Sequence, residues 1–272
     1  MTGAPIVLLH GVGLDRTIWD AVSAELGRVL PDSEVIALDL PGHGAQPPLT
    51  HEVSLGDLAA DVLDRMPAGP VHLVGFSVGA LIAQHIAVHH PDRVLTLTCV
   101  NSVCDRNGQE AAAVAGRLET AGVDFALGAE RAVDRWFPTT APGGTETGAY
   151  GVAFLRDRTR RILLANDIPS YLHVYRVFAT ADAELAPELH RITVPVLAVT
   201  GEDDPGSTPE MSRRIAERIP GTHVHIIPGA RHMVPDTHPE LLSALIAELI
   251  GTTDTTGRSQ SHDRHDRQDR HE

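Results

Sequence analysis

The segment Val71-His72-Leu73-Val74-Gly75-Phe76-Ser77-Val78-Gly79 places a serine directly between a strand and a helix. An apolar run of strand length ends at Phe76, and a run of helix length begins after Ser77. Gly75 and Gly79 suit a sharp strand-to-helix turn, because neighbouring chains pass there too closely for a Cβ atom. Such a turn strains the serine backbone, and strain of this kind marks functional sites. Ser77 is therefore a candidate nucleophile.

Composition limits the class of protein. The chain has 272 residues, of which 42% are hydrophobic, enough for one large α/β domain with a single buried core. No apolar stretch approaches the ~18 residues that span a bilayer. Residues 1–5 carry no positively charged side chain, so we expect no secretory signal and a cytoplasmic location. The formal net charge of −14 argues against nucleic acids and anionic membranes as partners.

The inventory of reactive side chains excludes some kinds of chemistry. All 22 basic residues are arginine, so Schiff-base formation and a lysine general base are ruled out. The two cysteines, Cys99 and Cys104, lie in no metal-ligand pattern, and we expect reduced thiols. We expect neither a cofactor nor a catalytic metal.

Apolar runs of strand length alternate with amphipathic runs of helix length through most of the chain. The predicted strands span residues 5–10, 34–40, 71–76, 94–100, 195–200 and 223–227. The predicted helices span residues 19–30, 54–66, 78–89, 209–219 and 239–250. Repeated strand-helix-strand order predicts an α/β fold in which a mainly parallel sheet carries helices on both faces.

The alternation breaks between residues 102 and 191, which contain helical pieces separated by Pro138, the loop 141–144 and Pro169. We interpret this segment as a helical lid inserted into a core formed by residues 1–101 and 192–250. Aromatic residues in a small helical insert pack a core or line a pocket. This segment holds most of the chain's aromatic residues, namely Trp136, Phe137, Tyr150, Phe154, Tyr171, Tyr175 and Phe178.

Residues 251–272 contain no periodic apolar residue and end in a mixture of His, Asp and Arg. Such a segment cannot bury enough apolar surface to offset its ordering entropy, so we predict a disordered tail. We predict no metal site there.

A serine nucleophile needs a base that takes its proton and an acid that orients the base. Asp203 and Asp204 follow the strand 195–200, and His232 follows the strand 223–227 in a glycine-containing loop. The carboxyl ends of parallel strands open on one edge of a sheet. We therefore expect Ser77, an aspartate of this pair and His232 to converge there.

From residue 5 to 250 the chain resembles α/β-hydrolase-fold enzymes, in which the nucleophile, acid and histidine follow in this order. The resemblance implies that fold. It is carried by motifs in the expected order, which are His10-Gly11-Val12-Gly13, Asp39-Leu40-Pro41-Gly42-His43-Gly44, Gly75-Phe76-Ser77-Val78-Gly79, Gly201-Glu202-Asp203-Asp204 and Gly229-Ala230-Arg231-His232.

The resemblance also implies roles for particular residues. Asp204, immediately before a proline, is favoured over Asp203 as the third catalytic residue. The backbone amides of Val12 and Val78 would form the oxyanion hole. His10, Asp39 and His43 are expected to stabilise loops, and the remaining histidines near the nucleophile are expected at the surface or at a helix end, namely His85, His89 and His90.

The substrate depends on the lid, where the similarity is looser. Residues 135–137, 166–171 and 180–182 resemble lids of 3-oxoadipate enol-lactonases, which implies a small lactone or ester as substrate, with or without a carboxylate. Trp136, Phe137 and Tyr171 are candidate substrate-contacting residues. An arginine would bind the carboxylate, and the sequence does not choose among Arg135, Arg156, Arg158, Arg160, Arg161 and Arg176.

The sequence leaves other functions open. A carbon–carbon-bond hydrolase or a lyase would use the same three residues, and a ligand-binding module would keep the fold without turnover. About five residues precede Ile6, where many relatives have an antiparallel hairpin. A sheet trimmed at this edge makes a homodimer a further hypothesis.

Overall fold

The computed structural model describes residues 3–137 and 151–265. Within them, one six-stranded sheet runs through the molecule in the order β2-β1-β3-β4-β5-β6, and every pairing is parallel. Its strands are β1 (Ile6–Leu9), β2 (Val35–Leu38), β3 (Val71–Phe76), β4 (Val94–Val100), β5 (Val196–Gly201) and β6 (His223–Ile227). All six strands overlap the segments predicted from sequence.

Helices connect the strands and cover the sheet. They are α1 (Asp20–Val29), α2 (Leu55–Arg65), α3 (Val78–His89), α4 (Gly108–Val123), α5 (Phe125–Trp136), α6 (Val152–Leu164), α7 (Ile168–Leu185), α8 (Pro209–Arg218), α9 (Val234–Thr237) and α10 (Pro239–His265). Helix α1 packs against α10, and α2 packs against α3, so the sheet is covered on both faces. The predicted α/β fold, with a parallel sheet and helices on both faces, is confirmed.

The centre of the sheet is apolar and buried. Strands β1 and β3 are buried along their whole length, as the continuous apolar runs of a parallel sheet require. Helix α3 is buried at almost every position because it lies between the sheet, α2 and α7. A helix that is apolar on all sides is typical of such a central position.

The segment between β4 and β5 is helical where it is described. Helix α4 packs against α5 and α7, α5 packs against α6, and α7 packs against α3 beneath them. These helices form the predicted insertion, which we call the helical insertion (residues 102–191). The predicted breaks at Pro138 and 141–144, and the aromatic Tyr150, lie outside the described residues.

Two further features concern the ends of elements. Helix α10 extends to His265, whereas the sequence predicted disorder from residue 251. Once a helix is nucleated, each added residue contributes a backbone hydrogen bond, and no proline interrupts residues 240–265. Residues 266–272 lie outside the described residues. Within the described part of the chain, no helix is both long and apolar enough to cross a bilayer.

Glycines allow α3 to approach the sheet at backbone distance. A Cβ atom at Gly79 would lie 2.5 Å from the Leu9 carbonyl oxygen and 2.6 Å from that of His10. A Cβ atom at Gly75 would lie 2.3 Å from the Gly79 carbonyl oxygen. Both contacts involve backbone atoms, which cannot move aside as a flexible side chain could. The turn between β3 and α3 therefore requires glycine at both positions.

We expect Gly79→Ala to destabilise the protein by about 3 kcal/mol or more, because the added methyl group forces the helix away from β1. Gly27→Ala is the matched control, since Gly27 lies in α1 with open space around its Cβ position. That change should stabilise the protein by about 0.5–1 kcal/mol. Urea denaturation measures both effects, and similar midpoints for the two variants would contradict this account.

Candidate active site

Ser77 lies between β3 and α3 in a strained conformation. Its backbone has φ 56° and ψ −116°, in the region of positive φ that residues with a Cβ atom rarely adopt. The Ser77 amide donates a hydrogen bond of 2.9 Å to the carbonyl oxygen of Val100 at the end of β4. The turn is thus fixed by the neighbouring strand, and strain that the surrounding structure maintains is typical of a nucleophile.

His232 and Asp204 form a buried pair. The Nδ1 atom of His232 lies 2.6 Å from Oδ2 of Asp204. The side-chain amide of Asn101 donates to the same oxygen at 2.8 Å, and the amides of Gly206 and Ser207 donate to Oδ1 at 2.8 and 3.0 Å. Burial alone would raise the pKa of Asp204, but His232 and these amides outweigh it and lower the pKa. The carboxylate therefore stays ionised beside the imidazole.

The structure distinguishes between the two adjacent aspartates. Asp204 is buried, whereas Asp203 is exposed and only its backbone amide is engaged, with the Ala230 carbonyl. Gly201 lets the two loops meet, because a Cβ atom there would lie 2.3 Å from the Ala230 oxygen. Asn101, which sequence reasoning missed, directly follows β4, and its position at the carboxyl end of a strand was the available signal.

His10 and His43 hold the loop that follows β1. Nε2 of His43 accepts from the Gly13 amide at 2.9 Å, and Nε2 of His10 accepts from the Leu40 amide at 2.9 Å. Nδ1 of His10 faces the Gly11 carbonyl oxygen, and Nδ1 of His43 faces the Pro41 carbonyl oxygen. Each ring is therefore neutral, with one nitrogen donating and the other accepting. Burial lowers the pKa of His43 and lowers that of His10 to about 3. Their arrangement supports the structural role predicted from sequence.

The other singled-out polar residues also have structural contacts. Each carboxylate oxygen of Asp39 accepts a hydrogen bond from a backbone amide, one from Arg16 at 2.8 Å and the other from Ala45 at 3.0 Å. The rings of His85 and His89 on α3 are in contact, tilted by 48° with centroids 4.3 Å apart, and they do not line the cavity described below. These contacts agree with the expectation that neither group takes part in the chemistry.

Val12 and Val78 flank the nucleophile from two sides. Val78 is the first residue of α3, where helix amides have no intrahelical acceptor and the helix dipole favours an anion. Val12 lies in the loop after β1, and Gly11 brings this loop against Ser77, since a Cβ atom there would lie 3.2 Å from the Ser77 Cβ. Both backbone segments are therefore adjacent to the serine.

Ser77 and His232 line one cavity of about 280 Å³ between the sheet edge and the helical insertion. His232 contacts two aromatic rings, Phe76 with centroids 4.8 Å apart and Trp136 with centroids 5.3 Å apart. The remaining aromatic wall is formed by Tyr171, Tyr175 and Phe178. A cavity of this size, with an apolar wall and a few polar groups, suits a small organic ligand.

The candidate lid residues have different outcomes. Trp136 and Tyr171 line the cavity, and their contact with substrate stays a prediction. Phe137 was predicted to contact substrate but is fully buried in the hydrophobic core and is not part of the lining. It is the residue that follows α5, and its side chain packs inward while that of Trp136 faces His232. The aromatic pair therefore divides between the core and the site.

The structure also separates the six candidate arginines. Arg135 lines the cavity. The others form ion pairs with carboxylates elsewhere, which are Arg156 with Asp134, Arg158 with Asp236, Arg160 with Glu130, Arg161 with Asp157 and Arg176 with Glu52. Arg117 and Arg131 also line the cavity and were not among the candidates. In the sequence, the spacing of these two arginines along their helices does not distinguish them from arginines at the surface.

These features define an enzyme of the α/β hydrolase class. The chain matches the model of the Alpha/beta hydrolase family over residues 6–245 and belongs to that family. It is 31% identical over 255 residues to the (E)-2-((N-methylformamido)methylene)succinate hydrolase of Acinetobacter baylyi, covering 92% of each chain. It is 28% identical over 259 residues to a pimeloyl-[acyl-carrier protein] methyl ester esterase of Yersinia enterocolitica, covering 92% of this chain and 94% of the relative.

A comparison of structures gives the same fold. The enol-lactonase from Burkholderia xenovorans LB400 superposes with a TM-score of 0.80 at 22% identity, covering 92% of both chains. The predicted membership of the α/β-hydrolase superfamily is therefore confirmed.

The buried His10 predicts how stability depends on pH. Unfolded His10 takes up a proton near pH 6.5, whereas folded His10 stays neutral down to about pH 3. Between these values the unfolded state binds the extra proton, so His10 contributes a fall of about 1.4 kcal/mol per pH unit to the free energy of unfolding as pH falls. Urea denaturation between pH 7 and 4 should show a shallower slope for His10→Asn. Equal slopes in the variant and the wild type would contradict the assignment.

Proposed function

We propose that this chain hydrolyses small carboxylic esters or lactones through an acyl-serine intermediate. The observation that carries the proposal is the strained Ser77 in the same cavity as His232, whose Nδ1 lies 2.6 Å from the buried Asp204. A serine at a strand-to-helix turn, a histidine and a carboxylate in this order are the parts that acyl transfer requires.

In the first half-reaction, Ser77 Oγ attacks the carbonyl carbon of the substrate while His232 Nε2 takes the hydroxyl proton. Asp204 orients the ring and stabilises the imidazolium that forms. The amides of Val12 and Val78 donate to the oxyanion. The tetrahedral intermediate then expels the alcohol, which receives the proton from His232. Water attacks the acyl-serine by the same route and releases the carboxylic acid.

The names of the relatives support this reaction class. One is a methyl ester esterase and another is a hydrolase of a substituted succinate. Carbon–carbon-bond hydrolysis or a lyase reaction would use the same three side chains, so substrate tests must distinguish them. Assays with an enol-lactone, a panel of lactones, 4-nitrophenyl esters of increasing acyl length and a β-diketone make this distinction. Turnover of the β-diketone alone would favour the alternative.

We expect Ser77→Ala to lower kcat for a turned-over ester by several orders of magnitude, because no acyl-enzyme forms. The variant should remain folded, because alanine has the same backbone constraints as serine and the substitution removes only the hydroxyl group. Steady-state kinetics and circular dichroism measure the two effects. Near-wild-type turnover in a folded variant would exclude Ser77 as the nucleophile.

The two adjacent aspartates provide a matched pair of variants. Asp204→Asn should lower kcat by about 10³- to 10⁴-fold, because the amide stabilises the wrong tautomer of the histidine and no imidazolium partner remains. Asp203→Asn removes the same charge from an exposed position and should leave kcat within about twofold of the wild type. Steady-state kinetics compares them, and a larger loss from Asp203→Asn would reverse the assignment of the acid.

A further inference from the structure

The arginines of this chain divide into paired and unpaired groups. In the part of the chain whose side chains are described, most arginines lie within 4.0 Å of a carboxylate oxygen. The exceptions in that part are Arg93, Arg117, Arg131, Arg135 and Arg231. Arg93 donates to the Pro67 carbonyl and Arg231 to backbone carbonyls of α5. Arg117, Arg131 and Arg135 all line the cavity that contains Ser77, where Arg135 also donates to the Arg131 carbonyl one turn earlier at 3.1 Å.

The positions of these arginines follow from the two helices above the nucleophile. Arg131 and Arg135 are one turn apart on α5, so they lie on the same face of that helix. Trp136, which stacks on His232, lines the same cavity from the end of α5. Arg117 projects from the neighbouring α4, which packs against α5. The residues of α4 that line the cavity beside Arg117 are small, namely Ala113, Gly116, Thr120 and Ala121. They leave room for a ligand beneath the guanidinium groups.

The electrostatics of this end of the cavity are unbalanced. Burial lowers the pKa of the Arg135 guanidinium from its usual value, and the positive charge of Arg117 acts in the same direction. The carboxylate of Asp204 is held by His232, Asn101 and the backbone amides. Arginine nevertheless keeps its proton in proteins. Two partly buried cations without a carboxylate partner among the described residues are stabilised when an anion binds between them.

We propose that Arg117 and Arg135 bind a carboxylate of the substrate that is separate from the carbonyl attacked by Ser77. This inference rests on the proposed hydrolase function and specifies its substrate class as esters or lactones that carry an additional carboxylate. Planar guanidinium groups bind carboxylates through paired, charge-assisted hydrogen bonds. Arg131, which is exposed and also lines the cavity, adds positive charge there. The cavity volume of about 280 Å³ suits a small substrate.

The first experiment compares two esters of equal acyl length. Mono-4-nitrophenyl glutarate carries a terminal carboxylate where 4-nitrophenyl valerate carries a methyl group. We expect the wild type to have the higher kcat/KM for the glutarate ester after correction for uncatalysed hydrolysis. Arg135→Gln and Arg117→Gln should each lower the glutarate-to-valerate ratio of kcat/KM by about 10- to 100-fold, as expected for loss of a charge-assisted hydrogen bond. Arg135→Lys should restore part of the ratio because it keeps the charge.

The matched control is Arg213→Gln, which removes the same charge from an exposed position on α8. It should leave the glutarate-to-valerate ratio unchanged. The ratio in the wild type should also fall as salt is added, because screening weakens the attraction of the anion. A wild-type ratio at or below one, or equal losses in Arg135→Gln and Arg213→Gln, would overturn the proposal.

A second experiment needs no turnover. Isothermal titration calorimetry with glutarate should show binding to the wild type and to Arg213→Gln, and at least tenfold weaker binding to Arg135→Gln and Arg117→Gln. Equal glutarate affinity in all four proteins would overturn the carboxylate site. Failure of the proposed hydrolase function would give a different result. Glutarate would still bind, but either neither ester would be hydrolysed or the hydrolysis would persist in Ser77→Ala.

Discussion

The close approach of α3 to the carboxyl ends of β1 and β3 is the constraint on which the rest of the site depends. Gly79 faces the carbonyl oxygens of Leu9 and His10, and Gly75 faces the carbonyl of Gly79. With the helix held this near, Ser77 has no room for an ordinary helix or strand conformation and takes a positive φ. The strain is maintained by burial of α3 on all sides, which is a large favourable term compared with the few kcal/mol that such a residue costs. Stability of the core and exposure of the nucleophile therefore have one structural cause.

The parallel sheet then brings the other groups to the same edge. Ser77 follows β3, Asn101 follows β4, Asp204 follows β5 and His232 follows β6. These four strands are consecutive neighbours in the sheet, so each connection delivers its residue beside the previous one. The carboxylate of Asp204 receives hydrogen bonds from groups on both sides of it, which orients it toward His232. The geometry of the pair is thus a property of strand order more than of any single loop.

The difference between what sequence did and did not predict has a physical basis. The strands and the turn at Ser77 depend on local patterns, namely apolar runs and glycines at forced close contacts. The choice of Asp204 over Asp203 depended on the resemblance to α/β-hydrolases. The contacts of the helical insertion depend on how amphipathic helices rotate against each other, which local patterns do not determine. For that reason the sequence did not reveal that Phe137 is buried in the core, whereas its neighbour Trp136 lines the cavity that contains Ser77. Selection of Arg135 required knowing which carboxylates lie near the other arginines.

The charge distribution of the molecule gives the cavity a distinct character. The chain as a whole carries a formal charge of −14, which disfavours the approach of small anions. Most arginines whose side chains are described pair with carboxylates, so few unpaired guanidinium groups remain in that part of the chain. Arg117, Arg131 and Arg135 then give the cavity a local positive field within a negative molecule. The low-dielectric walls of the cavity screen this field less than bulk water does. Anionic ligands are therefore favoured over neutral ones near Ser77. Aromatic rings on both His232 and the opposite wall keep that region poorly hydrated, which strengthens the same effect.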